Sequence, residues 1–440
     1  MTKKYYGDQT NHALGNFPFD VPKVSLDLVY AITTIKKAAA RAHYQVKELD
    51  KKRSDAIIKA CDEILVGKHD TQFPVSSLQG GAGTSINMNV NEVIAFRASE
   101  IAKTPIHPND HVNMGQSTND VNPSALRLVC IQLSRELIAT LRTLSAAYET
   151  NIKKYGHIRK LARTHMQDAI PTTVGAEMGS WKATIDRDIR RITEFQSYLY
   201  ELHMGGTAIG SCMNASKRFR THFYKVLNNT ITEKSAAFRP TENFYSFTSS
   251  TSDFVHLSNL ITILAGDLSK IAHDIRFLSS GPRGGIGEYV LQPLQKGSSI
   301  MPGKVNPVIP ETMNQIYYHV SGKNLAVQMA NETSDLQLAV MFPTAADSLI
   351  TSLKLLIVGI RQFTDKCIKG LSVDASRCRM HLENSTAYAT LLTPVLGYDK
   401  VADLVKKTIR SGKEFRQIIL EEKIFSEKNL DKLLSDLTIE

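Results

Sequence analysis

From Val24 onward the apolar positions Leu26, Val29, Ile32, Ile35 and Ala38 recur every three or four residues, the spacing that lines one face of a helix. The same period predicts a second helix from Ser54, placed to cap it, to Val66, and a third from Val90 to Lys103. Asn122 and Pro123 then open a helix of about seven turns whose stripe is Leu126, Cys130, Leu133, Leu137, Leu141 and Leu144. Further helical patterns run from about Thr172 to His203, Asn214 to Lys225, Phe254 to Leu278, Glu311 to Glu332 and Ser348 to Leu371. The tail has shorter ones, Leu391 to Gly397, Val401 to Ile409, Phe415 to Glu421 and Leu430 to Leu437. Residues 1 to about 20 are polar and read as irregular, with Asn16-Phe17-Pro18-Phe19 as an anchoring turn. Strand signals are few and short. Long helices joined at their ends predict an all-α protein built on an antiparallel bundle. Three parts are expected: a mostly helical N-terminal domain over residues 1–119, a central long-helix bundle over 120–374 and a small helical C-terminal domain over 375–440.

Composition changes this picture little. A hydrophobic share of 42% beside 22% charged residues is ordinary for a globular chain, and no continuous apolar run approaches the ~20 residues that span a bilayer. The basic start, Met1-Thr2-Lys3-Lys4, has no apolar core after it, so a soluble cytoplasmic protein without membrane association is expected. Cys61, Cys130, Cys212, Cys367 and Cys378 form no Cys-x-x-Cys pair and read as packing residues of a reduced protein, not as a zinc site. The formal charge of +10 is dispersed, with clusters such as Lys51-Lys52-Arg53 interleaved with acids, and aromatic-rich basic motifs are absent. Nucleic acid is not an expected partner.

Chemistry gathers in four loops at helix ends. Gly297-Ser298-Ser299-Ile300-Met301-Pro302-Gly303-Lys304-Val305-Asn306-Pro307 ends a stretch dense in glycine, and Asn306 is placed to cap the helix that follows. A helix start with Lys304 beside it suits a carboxylate. Serine is a feeble base unless N–H donors and positive charge stabilise its alkoxide, and this loop supplies both next to Ser298 and Ser299. Taken alone, it reads equally well as a surface turn with a solvated lysine. Gln79-Gly80-Gly81-Ala82-Gly83-Thr84-Ser85 lets backbone and hydroxyl approach a ligand closely but lacks the features of a nucleotide loop, and Asn87, Asn89 and Asn91 are placed to fix it or to cap the next helix. Gln116-Ser117-Thr118-Asn119-Asp120 packs three short polar side chains before a helix start, where capping needs one. The fourth loop, Lys160 to Pro171, offers Thr164 and His165 beside Arg163, although a lone loop histidine is more often structural than catalytic.

The stretch Gly-Ser-Ser-x-Met-Pro-x-Lys-x-Asn at residues 297–306, with the other three loops in the same order, resembles the aspartase/fumarase superfamily over nearly the whole chain. Within it, Gln79 to Ser85, Gln116 to Asp120 and Lys304 to Glu311 are closer in wording to the aspartate ammonia-lyase branch than to class II fumarase. Gly285-Ile286-Gly287-Glu288 is closer to fumarase, and Ala339, Phe342, His111 and Met114-Gly115 depart from the usual residues, which bears on the substrate more than on the reaction type.

The resemblance implies an all-helical homotetramer with a twenty-helix core and active sites assembled from loops of three subunits. It implies a reversible elimination of ammonia from L-aspartate to fumarate through an enolate-like dianion, with Ser298 as the base. Lys304, Asn306 and Thr164 would hold one carboxylate. Thr84, Ser117, Thr118 and Ser299 would give hydroxyls to the carboxylate that becomes the enolate. Asn119 and His165 would contact the amino group, with Glu311 as partner of His165. No organic cofactor and no dedicated metal site are implied, although some members respond to a divalent cation. The alternatives on the same scaffold are fumarate hydration and an ammonia-lyase for another amino acid; a helical structural or interaction protein is the alternative of another class.

Overall fold

The helical period of the sequence reappears, in a computed structural model, as helices Leu26–Gln45, Lys51–Leu65, Thr84–Ala102, Thr118–Tyr155, Val174–Phe195, Lys217–Thr230, Ser252–Leu278, Val308–Glu332 and Phe342–Phe363. The structure describes residues 3–231 and 236–430. The Thr118–Tyr155 helix alone has 38 residues, about 57 Å at 1.5 Å per residue. Among the described residues, strands are limited to short two-stranded pairs, so the all-α expectation holds.

The chain forms two compact units. One consists of Met1–Ala139, Arg190–Leu264 and Tyr318–Ile357, the other of Thr140–Ile189, Ala265–Tyr317 and Val358–Glu440. In the first, Leu126, Cys130, Leu133 and Leu137 are buried together with Leu257, Ile261 and Leu264. In the second, Leu141, Leu144, Trp181, Ile271, Ile275, Met313 and Ile360 are buried, and Gly359 lets its helix approach the Val308–Glu332 helix so closely that an added Cβ would strike Ile316. Within this unit the shorter helices Ala389–Leu396, Tyr398–Ser411 and Phe415–Glu421 share a core of Leu392, Leu404, Phe415 and Ile418. The tail helix expected to Leu437 lies, from residue 431, outside the described residues. The Phe342–Ile368 stretch is long and apolar enough to cross a membrane by composition, yet 67% of its most apolar window is buried inside the protein, as in a core helix.

Several boundaries differ from the sequence reading for identifiable reasons. Asp8–Asn16 is helical, not irregular, because the buried Glu92 carboxylate accepts from Gly7 N (2.9 Å), Gln9 N (3.0 Å), Thr10 N (3.2 Å) and Thr10 Oγ1 (2.6 Å). A side chain from another helix thus satisfies the orphan donors of this one. The second helix starts at Lys51, capped by Asp50 Oδ1 on Arg53 N (3.0 Å), while Ser54 is buried and donates to Ala40 O. Thr84–Ala102 starts six residues before Val90, which puts Asn87, Asn89 and Asn91 inside the helix and buried. Thr118–Tyr155 carries Pro123 within it, and its entry is sealed by a reciprocal capping pair: Ser117 Oγ accepts from Asn119 N (3.2 Å) and Asp120 Oδ1 from Ser117 N (2.9 Å). Phe342–Phe363 starts six residues before Ser348.

The fourth polar loop is a β-hairpin, Arg159–Thr164 paired antiparallel with Gln167–Thr173. Lys160 in it is wholly buried, its ammonium 2.8 Å from Glu177 Oε2 and 2.8 Å from Glu288 Oε2. Glu288 also meets Arg163 (3.0 Å) and His381 Nδ1 (2.9 Å), and Tyr289 donates to Glu177 (2.5 Å). This cluster binds the hairpin, the stretch leading to the Gly297–Pro307 loop and the Ala375–Asn384 helix to one another. Burial pushes the Glu288 pKa up, but Lys160, His381 and Arg163 outweigh it and hold the carboxyl below its ordinary value.

A depressed folded pKa stabilises above the unfolded value, so the Glu288 contribution is present at neutral pH and lost as pH falls below about 4.5. Lys160→Met removes the cation that two carboxylates share and is expected to lower unfolding free energy by about 3–5 kcal/mol. Urea titration followed by circular dichroism measures this, and a loss under about 0.5 kcal/mol would show that the cluster adds no net stability.

Candidate active site

The Gly297–Pro307 loop is closed at its neck. Gly297 N donates to Lys304 O (2.9 Å) and Asn306 Nδ2 donates to Gly297 O (2.7 Å). Asn306 therefore ties the loop rather than capping the helix, which begins at Val308 with Pro307 flanking it. Inside the neck, Ser298 Oγ accepts from Ile300 N (3.1 Å) and Met301 N (2.9 Å). Two main-chain donors on one hydroxyl oxygen stabilise negative charge there, as a serine acting as base requires. Ser298 is half-buried; Ser299 and Lys304 are exposed. Lys304 Nζ forms no ion pair among the described residues. Lys304 and Asn306 line a cavity of about 910 Å³ with Tyr289, Asp374, Arg377 and Met380. Arg377 donates to Pro282 O at the other end of the glycine-rich stretch.

Thr164 and His165 occupy the exposed tip of the hairpin. His165 (φ +54°) and Met166 (φ +63°) are both left-handed, the backbone of a two-residue hairpin turn usually given to Asn and Gly. That unfavourable local geometry in non-glycine residues fixes where the imidazole starts, and it hid the hairpin from sequence reading. Within one chain no hydrogen bond joins His165 to Glu311.

The remaining predicted residues lie in the other unit. Thr84 is the first residue of its helix and its hydroxyl donates to Gly81 O (2.8 Å). Asn122 Nδ2 donates to Gly83 O (3.0 Å), which joins this loop to the entry of the Thr118–Tyr155 helix, and Asn87 Nδ2 reaches Thr118 Oγ1 (3.2 Å). Thr84, Ser117, Thr118 and Asn119 thus stand on two helix starts pinned to each other. Beneath them Asp120 is fully buried, pushed up to about 6 by burial. Lys36, also fully buried, donates to Asn113 Oδ1 (2.5 Å) and is pulled down to about 7 by burial.

Sequence reading missed Asp120, Glu288 and the segment around His203 as positioning groups. The Ser117-x-x-Asp120 spacing is a capping signal that finds the first, and the glycine density of Gly205-Gly206-Thr207-Ala208-Ile209-Gly210 marks the third. Nothing local marks Glu288, whose partners are distant in sequence. Of the residues that depart from the family wording, Ala339 and Phe342 are buried; Phe342 lies next to Gly83. Among the described residues no group of three His, Cys, Asp or Glu side chains is placed to hold a metal ion.

Known proteins resemble the chain over nearly its whole length. A family model described as lyase matches residues 1–322, and one described as fumarase C C-terminus matches residues 389–437. The chain is 38% identical to an aspartate ammonia-lyase from Bacillus subtilis (strain 168) over 98% of its own length and 91% of the relative's. It is also 38% identical to a class II fumarate hydratase from Thermus aquaticus, over 98% and 94%. A crystal structure of a fumarate lyase:delta crystallin from Brucella melitensis bound to cobalt superposes with a TM-score of 0.94 at 39% identity, covering 99% of this chain and 95% of that one. With its helical architecture, its serine loop and these full-length matches, the chain belongs to the fumarase/aspartase family of lyases.

Proposed function

We propose that the protein is an aspartate ammonia-lyase, catalysing the reversible elimination of ammonia from L-aspartate to give fumarate. The observation that carries the reading is the Ser298 hydroxyl held by two backbone N–H groups on a loop closed at its neck. Ser298 Oγ takes the C3 proton, and the electron pair moves into the neighbouring carboxylate to form an enolate-like dianion. A positioned base supplies about 100- to 10,000-fold, and each fixed donor on the developing charge contributes on the order of 3 kcal/mol. Those donors are the hydroxyls of Thr84, Ser117, Thr118 and Ser299. Thr84 must release Gly81 O to serve. Lys304, Thr164 and the second amide N–H of Asn306 hold the other carboxylate.

Asn119 and His165 face the amino group, which leaves from its ammonium form and needs no acid. Glu311 orients His165 from another subunit. The chain assembles as a homotetramer with sites shared by three subunits. Support for this comes from the Val308–Glu332 helix, which leaves Tyr318, Leu325 and Met329 more than half exposed along its length. We place the enzyme in the cytoplasm, without an organic cofactor and with a divalent cation, if any, as activator. The choice of aspartate rests on the wording of the loops at 79–85, 116–120 and 304–311. Fumarate hydration is the second reading, favoured by an equally similar fumarase relative.

Ultraviolet appearance of fumarate from L-aspartate and from L-malate, in separate cuvettes, decides between them: signal from aspartate alone supports the first reading, and signal from malate alone replaces it with the second. Ser298→Ala is expected to lower turnover at least about 100-fold while the assembly stays intact by sedimentation. Near-normal turnover removes Ser298 from the chemistry. Placing Glu at both 325 and 329 is expected to dissociate the tetramer and abolish activity, and an intact active tetramer would show that this face is not an interface.

A further inference from the structure

Thr118 stands apart from the other hydroxyls of its unit that are proposed to meet substrate. Thr84 spends its proton on Gly81 O, and Ser117 Oγ accepts from the main chain of Asn119. Thr118 Oγ1 instead accepts from a buried side chain, Asn87 Nδ2, at 3.2 Å.

The direction of the Asn87 amide follows from its other partner. Gln116 O only accepts, so the end of Asn113 that lies 3.2 Å from it is the NH₂. Oδ1 of Asn113 therefore faces Lys36 Nζ (2.5 Å) and Asn87 (3.3 Å). Asn87 must turn its NH₂ toward that oxygen, and the same NH₂ supplies the N–H to Thr118, so both of its N–H groups are spent. The cost falls on Asn87 Oδ1, which is buried with no partner among the described residues. A flipped amide would give that oxygen the Thr118 proton, but only by setting two acceptor oxygens against each other at Asn113.

An NH₂ cannot accept, so the Thr118 proton is not spent on Asn87. Thr118 is 8% exposed, and water competes little for it. We propose that Asn87 is a positioning residue for the elimination: by giving Thr118 a donor, it keeps the Thr118 proton for the substrate carboxylate that gathers charge as the C3 proton leaves. This rests on the reading that Thr118 meets that carboxylate. Oγ1 retains a further lone pair, which a carboxylate, having only acceptor oxygens, does not use. The charge on that carboxylate's oxygens is greater in the transition state than in bound aspartate, so a donor kept for it acts on kcat more than on KM. Asn87 touches Thr118 and not the substrate. The neighbouring Asn119 is held independently, with His203 Nε2 at 2.8 Å from its carbonyl and Ala208 O accepting from its amide (2.7 Å), so a change at Asn87 leaves those bonds in place.

A double-mutant cycle tests this in the full assembled protein, with kcat and KM for L-aspartate as the readout and thermal melts as the folding control. Asn87→Asp keeps the shape but leaves an oxygen facing Thr118 that accepts its proton; kcat is expected to fall at least about tenfold, with KM changed less. Thr118→Val removes the hydroxyl and is expected to lower kcat by a similar factor. Adding Asn87→Asp to Thr118→Val is expected to change kcat by less than about twofold. Unchanged kcat in a folded Asn87→Asp, or the same loss with and without the Thr118 hydroxyl, overturns the proposal. Should Asn87→Asp not fold, Asn87→Leu takes its place, removing the orphan oxygen together with both N–H groups; a loss of kcat that is equal with and without the Thr118 hydroxyl overturns the proposal again. Thr118→Val with full turnover refutes the reading that Thr118 meets substrate and the role of Asn87 with it, whereas an impaired Thr118→Val with uncoupled Asn87 variants refutes only the latter. Should the wild type act on malate alone, the aspartate reading falls, and the same cycle read on malate still decides the role of Asn87, because both substrates carry the carboxylate beside C3.

Discussion

A lysine taken out of water must be neutralised or paired, and Lys160 is paired twice. Its ammonium sits between Glu177 and Glu288, and Arg163 and His381 close around Glu288 from the other side. Each partner comes from a different stretch: the hairpin, the helix that follows it, the approach to the serine loop and the Ala375–Asn384 helix. No member can be withdrawn without stranding charge in a low-dielectric interior, where removing one side of a pair costs far more than the pair is worth. The hairpin that bears Thr164 and His165 and the root of the loop that bears Ser298 are thereby bound to one set of electrostatic partners. The loop's own tip remains largely exposed.

The other unit solves a similar problem with main-chain N–H groups in place of cations. Helix starts leave N–H groups unpaired, and buried carboxylates answer them here: Glu92 from a distant helix at Asp8–Asn16, and Asp120 at its own helix, while the other oxygen of Asp120 accepts from Gly205 N and Thr207 N in a distant loop. Asn87, Asn113 and Asn122 cross-link the two polar helix starts. The residues proposed to meet substrate in this unit are tied into this network, and their hydroxyl and amide directions are set by the partners they hold there.

What was legible in the sequence divides along these lines. The long seams, such as Leu126 to Leu144, were legible because a helix's apolar period is local. The serine loop and the polar runs at helix ends were legible because so many short polar side chains exceed what capping needs. Boundaries were less so. Pro123 suggested a start four residues late, because a proline near a helix entry looks like its first turn; Ser54 looked like a cap until Asp50 took that place. The helix at Asp8–Asn16 and the hairpin at 159–173 were not legible, one being stabilised by a glutamate more than eighty positions away and the other turning through His165 and Met166 with no Asn-Gly to announce it. Buried positioning groups such as Glu288 and His203 carry no local mark, since their role exists only after distant segments meet.

The donors that face Ser298 Oγ belong to the main chain of Ile300 and Met301, whose side chains are 83% and 50% exposed. Chemistry and side-chain identity are therefore separable at these two positions. Drift there can reshape the outer surface of the loop without touching the two N–H groups that Ser298 Oγ accepts from. Only proline, which has no N–H, breaks that independence, so the loop is free to diversify in every direction but one.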